Sequence, residues 1–547
     1  MLLAHSSRLL RTLRFLKMRQ VIGQLRWRLR RGKCTGPVWK KAPPALAITQ
    51  PKADFPGAPV HAVADGWQKF RLLNREFTFS EGIDWEFSGY GPLWSFHLHQ
   101  FDWARRSALS APARSRAIFD WIDGHRAGVG WNPHSTSLRS MTWIKLLLTS
   151  GALDLSEEKE SIIRASLAAQ CTHLAANLET HILANHYFSN LLALVFAGLA
   201  FEGDASRAWL RHETALREEL REQVLSDGTH CERSPMYHSL LLESVLDVLN
   251  LATARPDCIS KELESDLRDA AARMLGALEV LTHPDGDIAL FSDSAFGIAQ
   301  PKSVLESYAE ALGVQASGPA ATGVLEAGGY VRLSQGAYSV IASLAGPMPE
   351  YQPGHAHGDA LSFECSVGSA RVITDTGVCE YIPGSLRDMS RATQSHATCV
   401  IDDQEQAEFW ASHRVGGRPG VKLVSVEPGK RWEGTCAGWS TPEILHRRVV
   451  EVSESSISIT DDIQGQARSL YFVFPLAPGI SAELRERRAW LDLPEGGQVT
   501  IDLARGVAWS LERRPYFPEF GKVVERWALV GRTDPLSIPI VTKLRYR

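Results

Sequence analysis

His355 and His357, one residue apart in Gly354-His355-Ala356-His357-Gly358-Asp359, form the densest concentration of reactive side chains in the sequence. On an extended backbone, residues i and i+2 project to the same side, so two imidazoles can converge on one metal or one substrate. Downstream stand Ser362-Phe363-Glu364, Asp375-Thr376-Gly377 and Ser395-His396-Ala397-Thr398. An aspartate and a third histidine could complete a three-ligand N/O set of the kind Zn²⁺ or Mn²⁺ accepts. The plainer reading of a His-x-His pair is two surface histidines where a strand begins.

Strand register constrains the metal reading. If Gly368-Ser369 is a two-residue hairpin turn, Val367 pairs with Ala370 and Asp375 falls opposite Ser362. Asp375 then lies far from His357, on the other face of an ideal ladder. Bringing them together requires the 355–359 stretch to fold back as a loop, or a bulge to shift the pairing.

A second constellation is Glu232-Arg233-Ser234-Pro235-Met236-Tyr237-His238. Ser234 is suited to cap a helix and Pro235 to open one. Tyr237 then sits in the first turn, at the positive end of the helix dipole, which favours a phenolate and hence a tyrosine base. Asn185-His186-Tyr187 opens another apolar helix, where the amide and imidazole either cap it or face a cleft. Trp85, Tyr90, Trp94, His97, His99 and Trp103 suit stacking on sugars, although such rows are commonly core. The same two readings apply to Trp131-Asn132-Pro133 with Ser137, Arg139 and Trp143. There Arg139 could pair with a substrate carboxylate.

Two kinds of element must position these groups. From Phe101 to Leu312, apolar residues recur every three or four positions. The examples are Ser137–Thr149, Ile162–Leu178, Leu183–Phe201, Pro235–Ala254 and Lys261–Leu281. Successive helices without strand signals imply a helical bundle or a closed toroid of hairpins. From Gly328 the pattern alternates, as in Leu361, Phe363, Cys365 and Val367, and reads as antiparallel strands of a sandwich. The expected division is a basic arm and lead-in over 1–100, a helical domain over 101–320 and a β-sandwich over 328–547.

The 547 residues carry a net charge of −3, which speaks against a nucleic-acid binder. Met1–Lys41 holds twelve Lys/Arg and no acid, leaving 47 bases against 62 acids, or −15, for the remainder. A basic amphipathic helix in the arm is expected to pack on the body with a solvated face; contact with a membrane surface is the less favoured reading. Arg8, Arg11, Arg14 and Lys17 interrupt any secretory apolar core, so a cytoplasmic location is expected, with the periplasm as the alternative. The eight cysteines include no Cys-x-x-Cys pair and are expected to be reduced. No phosphate-binding loop or dinucleotide fingerprint is present, so no organic cofactor is expected.

Taken together, these residues resemble the heparinase II/III-like polysaccharide lyases, particularly the heparinase III side. The matching segments are Ile83-Asp84-Trp85 with Gly91-Pro92-Leu93-Trp94, Trp131-Asn132-Pro133, Asn185-His186, Glu232–His238, His283-Pro284-Asp285-Gly286 and Gly354–Asp359 with Leu361–Glu364. Ser395–Thr398 and Tyr516-Phe517-Pro518-Glu519-Phe520-Gly521 complete the series, which runs in order through nearly the whole chain. The resemblance implies an incomplete (α/α) toroid followed by an antiparallel β-sandwich, with the cleft between them. It implies β-elimination on a uronate-containing acidic glycan, either a bacterial exopolysaccharide or a glycosaminoglycan-like polymer. Asn185 would neutralise the uronate carboxylate, and Tyr237 and His355 would share the base and acid work. His186, Arg139, Trp94 and Trp131 would bind substrate, while His357, Asp375 and His396 would hold a structural divalent metal. Two other classes stand beside this reading. One is a glycoside hydrolase using carboxylates among Glu232, Asp293 and Glu364; the other is a catalytically silent glycan-binding protein of exopolysaccharide assembly.

Overall fold

The computed structural model describes residues 2–30, 36–37, 39–48, 50–60, 62–125, 127–534 and 538–546. Two helices open it, α1 (Leu2–Leu13) and α2 (Met18–Arg30), followed by a small antiparallel sheet of β1 (Ala62–Asp65), β2 (Lys69–Leu72) and β3 (Arg75–Thr78). The helical domain begins at α3 (Pro92–Gln100), ahead of the expected boundary at 101, because Pro92 at the first helical turn sets the backbone there. Then come α4 (Ala111–Gly124), α5 (Pro133–Leu148), α6 (Glu157–Ala176), α7 (Ala184–Ala200), α8 (Gly203–Leu210), α9 (Glu213–Gln223), α10 (Pro235–Ala254), α11 (Lys261–Val280) and α12 (Lys302–Ala311).

α3, α5, α7 and α10 pack in succession as the inner wall, backed by α4, α6, α8, α9 and α11, which gives the incomplete toroid. In α7 every residue except His186 is buried, as the eleven-residue apolar run within Leu191–Phe201 requires. Serine side chains cap α4, α6, α10 and α11, each accepting a hydrogen bond from a backbone N–H of the first turn.

The β half starts with a five-stranded antiparallel sheet: β4 (Val324–Leu325), β5 (Tyr330–Gln335), β6 (Tyr338–Ser343), β7 (Ser362–Val367) and β8 (Ala370–Ile373). An eight-stranded and a four-stranded sheet complete the sandwich, whose core holds Trp432, Val450, Ile459, Leu491 and Ile501. All six residues of β6 and of β7 are buried, because this sheet has structure on both faces. Val280, Leu281, Phe291, Tyr330 and Ile341 form an apolar seam that joins α11 to the sheet. That seam fixes the two halves and so defines the gap between them.

β7 and β8 carry the predicted turn, with Val367 opposite Ala370, and then a register shift that sets Cys365 opposite Ile373. The bulge and the irregular 354–361 stretch are both present, so the geometry that the His357–Asp375 association needs is met by the two routes together.

Candidate active site

A cleft of about 1290 Å³ lies between toroid and sandwich, with Asn185, His186 and Tyr237 on one wall and His355, Tyr381 and His413 on the other. Asn185 is at the start of α7. Its backbone N–H donates to Glu232 Oε1 at 2.7 Å and its Nδ2 to Glu232 Oε2 at 2.8 Å, which fixes the amide plane. The same Nδ2 is 3.2 Å from His355 Nε2. Tyr237 sits in the first turn of α10, its N–H donating to Ser234 Oγ at 3.2 Å. The Tyr237 and His355 rings stack at a centroid distance of 4.0 Å and an interplanar angle of 28°. Amide, phenol and imidazole therefore face one space.

His355 Nδ1 donates to Asp293 Oδ2 at 2.8 Å, and His357 Nε2 to Asp293 Oδ1 at 2.8 Å. Arg387 adds a two-pronged ion pair to the same carboxylate. Burial works against the charge of Asp293, but the Arg387 guanidinium and the two histidines outweigh it, and the carboxyl stays well below the usual range. An ionised carboxylate only accepts, so Asp293 keeps a proton on His355 Nδ1 and leaves Nε2 as the nitrogen that faces the cleft, beside the Asn185 amide. Glu232 Oε2 is 3.2 Å from that nitrogen, placed to stabilise the imidazolium once it forms.

The phenolate expected at Tyr237 is corrected by the structure. Burial pushes the phenol well above its ordinary value, reinforced by the charges of Asp293 and Glu232 and opposed by the Tyr381 hydroxyl 3.2 Å away and by Arg387. The dipole acts at the backbone end of the side chain, whereas the hydroxyl is in a desolvated pocket beside two carboxylates. Tyr237 thus rests as a proton donor.

Backbone strain surrounds these residues. Leu183 (φ 64°), Ala184 (φ 50°), Arg233 (φ 56°) and Ser292 (φ 56°) adopt left-handed conformations immediately before Asn185, Ser234 and Asp293. Each costs roughly 1–3 kcal/mol and persists because the surrounding bonds enforce it, as is common where side-chain placement serves chemistry.

Two family models cover residues 61–317 ("Heparinase II/III N-terminus") and 318–535 ("Heparinase II/III-like, C-terminal"). The chain belongs to the heparinase II/III-like family. The heparin-sulfate lyase of Pedobacter heparinus is 27% identical over 252 residues, 42% of this chain and 38% of that protein. The heparin-sulfate lyase of Bacteroides thetaiotaomicron is 24% identical over 240 residues, 39% of this chain and 34% of that protein. These alignments span little more than a third of each relative. A crystal structure of heparinase III superposes with a TM-score of 0.68 at 18% identity, covering 86% of this chain and 80% of that one. A mutant of the heparan sulfate lyase HepC from Pedobacter heparinus gives 0.58 at 18% identity, covering 89% and 81%. Both structures share the toroid-and-sandwich fold.

Within the family fold, the other predicted substrate contacts divide. His186 faces the cleft at the head of α7, its Nδ1 donating to Glu179 at 3.0 Å and its ring 4.4 Å from that of His134. Burial disfavours its charge, yet the Glu179 carboxylate and hydrogen bond outweigh that and raise its pKa. Arg139 does not reach the cleft. It is fully buried, donating to Gln170 Oε1 and to the carbonyls of His99 and Gly130 beneath the Trp121 ring. Trp94 and Trp131 are 1% and 5% exposed and belong to the toroid core, so their faces pack on protein and not on sugar. These three are structural, because the aromatic row closes the toroid from inside.

The predicted metal ligands do come together. The donor atoms of His357, Asp375 and His396 lie within 4.8 Å of one another, all fully buried. His396 Nδ1 donates to Asp375 Oδ2 at 2.8 Å, while His357 Nδ1 and His396 Nε2 are buried without a hydrogen-bond partner among the described residues. The unpartnered His357 Nδ1, the second imidazole and the aspartate together offer a donor set that fits a divalent ion with a preference for N/O ligands. Asp293, on the far nitrogen of His357, is the outer-sphere carboxylate such a ligand commonly has.

Sequence reasoning missed the roles of Arg387, Tyr381 and His413. Arg387 comes from a seven-residue helix, Ser385–Arg391, and Tyr381 and His413 from the loops around it, all too short for periodicity to mark a face. Glu232 and Asp293 were noticed only as hydrolase candidates.

Proposed function

We propose that the protein cleaves a uronate-containing polysaccharide by β-elimination. The observation that carries this reading is the convergence of the Asn185 amide, the His355 Nε2 and the Tyr237 hydroxyl on one space. The second N–H of Asn185 turns to the uronate carboxylate and offsets charge as the C5 carbanion forms, a task worth about 3–4 kcal/mol per good donor. His355 Nε2 takes the C5 proton, and Glu232 and Asp293 stabilise the resulting imidazolium. The C5 electron pair forms the C4–C5 double bond as the C4–O4 bond breaks, and Tyr237 gives its proton to the departing oxygen. Return of the proton from His355 to the stacked Tyr237 resets both groups. His186, whose charged form Glu179 favours, supplies a cationic contact for the anionic chain.

A divalent metal at His357, Asp375 and His396, Zn²⁺ or Mn²⁺ by its donor set, is part of the proposal. When bound it supplies structural cross-linking of the 354–361 stretch to the segments that carry Asp375 and His396. No proton is routed through it.

The substrate class is supported by the family, whose matched relatives bear the name heparin-sulfate lyase, and by the Asn185 amide and His186 imidazole that face the cleft. An exopolysaccharide remains within this reading, since nothing in the geometry requires sulfate. The hydrolase alternative loses its carboxylates: Glu364 is buried on His283 and Arg371, Asp293 on Arg387, and Glu232 on Asn185. None is placed to protonate a glycosidic oxygen. Incubation with a panel of uronate polymers is expected to generate the ultraviolet absorbance of unsaturated ends on at least one. New reducing ends without that absorbance would refute elimination.

A further inference from the structure

The N-terminal helix pair lies ahead of both family segments and is built in an unusual way. Its polar side faces the protein. Gln20, 3% exposed, donates from one Nε2 to the Ile182 carbonyl of the toroid at 3.1 Å and to the Tyr351 carbonyl at 3.2 Å. Arg8 and Arg11 pair with Glu408 of the sandwich half, and Lys17 and Arg19 with Glu222 and Glu219 of the toroid half. A Cβ on Gly23 would collide with the backbone at Thr180 and His181, so this face of α2 is pressed against the body.

The apolar residues consequently stay exposed on the side away from these contacts, with Leu13, Ile22 and Leu25 at the rim of the cleft. In α2, Met18, Ile22, Leu25 and Leu29 follow the spacing of one helical stripe and are 71%, 46%, 61% and 77% exposed. In α1, Leu10 and Leu13 are 68% and 46% exposed. A surface helix ordinarily buries such a stripe, and an exposed one marks an interaction site. Arg14 and Arg26 flank the stripes and form no ion pair among the described residues; neither helix contains an acid. The rest of the chain carries a net −15, so the arm is where the charge balance favours an anionic surface.

We propose that this outward face docks the protein on a membrane surface bearing anionic lipid. Leucines beside arginines, with no acid among them, are the composition by which an interfacial helix inserts apolar side chains while its cations meet lipid phosphates. Contact is peripheral, since no helix among the described residues is long and apolar enough to cross a membrane. A second copy of the chain is the poorer occupant, because it would set two basic, acid-free helix pairs against each other. Val21, Ile22 and Arg28 line the cleft from the same pair of helices, so docking places the cleft mouth at the lipid surface. This inference is independent of the chemistry assigned to the cleft.

Co-sedimentation of the full chain with vesicles tests it. Binding is expected to phosphatidylcholine vesicles containing phosphatidylglycerol, to be absent with phosphatidylcholine alone, and to weaken as salt rises. The double substitution Leu10→Asp with Leu29→Asp is expected to lower the bound fraction by roughly tenfold, and Arg26→Glu to lower it further. These residues are exposed and outside the cleft, so melting temperature and activity on free polymer are expected to be unchanged. Equal binding to both vesicle types, no binding to either, or undiminished binding by the variants would overturn the proposal. So would a dimer, seen by light scattering, that the same substitutions dissolve.

Discussion

The Nδ1 of His355 and the Nε2 of His357 share one carboxylate, each 2.8 Å from a different oxygen of Asp293. A single buried aspartate thereby sets the tautomer of the cleft histidine and anchors the histidine of the proposed metal site. Asp293→Asn keeps the shape but removes the charge and lets the side chain donate. The proton on His355 is then free to move to Nε2, which disables the base. A fall in kcat of about 10²–10⁴-fold with little change in KM is expected, together with weaker metal retention. Steady-state kinetics and elemental analysis of the same variant check both.

Tyr237→Phe removes only the hydroxyl that protonates the leaving oxygen. Its backbone cap to Ser234 and its stack on His355 remain, so the melting temperature is expected to hold while kcat falls by about 10²–10⁴-fold. Substrates with a better leaving group at C4 should recover part of the loss, as a missing general acid requires. Unchanged turnover would remove Tyr237 from the mechanism.

His186 gives the pH dependence of binding. Its pKa is raised by Glu179, so its cationic contribution is complete in mild acid, below the ordinary histidine value, and is lost as pH rises through the raised one. KM for an anionic polymer is expected to climb across that interval. His186→Gln should raise KM at low pH and flatten the profile. A profile of the same shape in the variant would assign the titration elsewhere.

Protein prepared without chelator is expected to hold one divalent ion per chain, and His396→Ala to lose it and melt at a lower temperature. The orphaned nitrogens of His357 and His396 are the reason, since a buried imidazole nitrogen left unpaired costs about 1–3 kcal/mol. Elemental analysis that finds no stoichiometric metal would reject the site.

The architecture was largely readable from periodicity. The expected Pro235–Ala254 helix matches α10, because a capping serine and a first-turn proline mark its start. The co-location of His357, Asp375 and His396 needed a bulge that the turn residues alone do not reveal. The assignments that changed share one cause, burial. Trp94, Trp131 and Arg139 have types that fit sugar binding, and their enclosure follows from how the toroid closes, which no local pattern encodes. The protonation of Tyr237 was inverted for the same reason: helix position was visible, whereas desolvation beside Asp293 and Glu232 was not. Arg387 and Tyr381 stayed hidden because a seven-residue helix and the loop before it deliver them, and neither is long enough to show a period.

The most direct measurement of the central claim is the fate of the cut ends when a susceptible uronate polymer is digested in heavy-oxygen water. Elimination forms a double bond and draws no oxygen from solvent, so mass spectrometry should show unsaturated ends without label, in step with the rise in ultraviolet absorbance. One labelled oxygen per cleavage, on saturated ends, would mean that water is the reactant and would contradict the account.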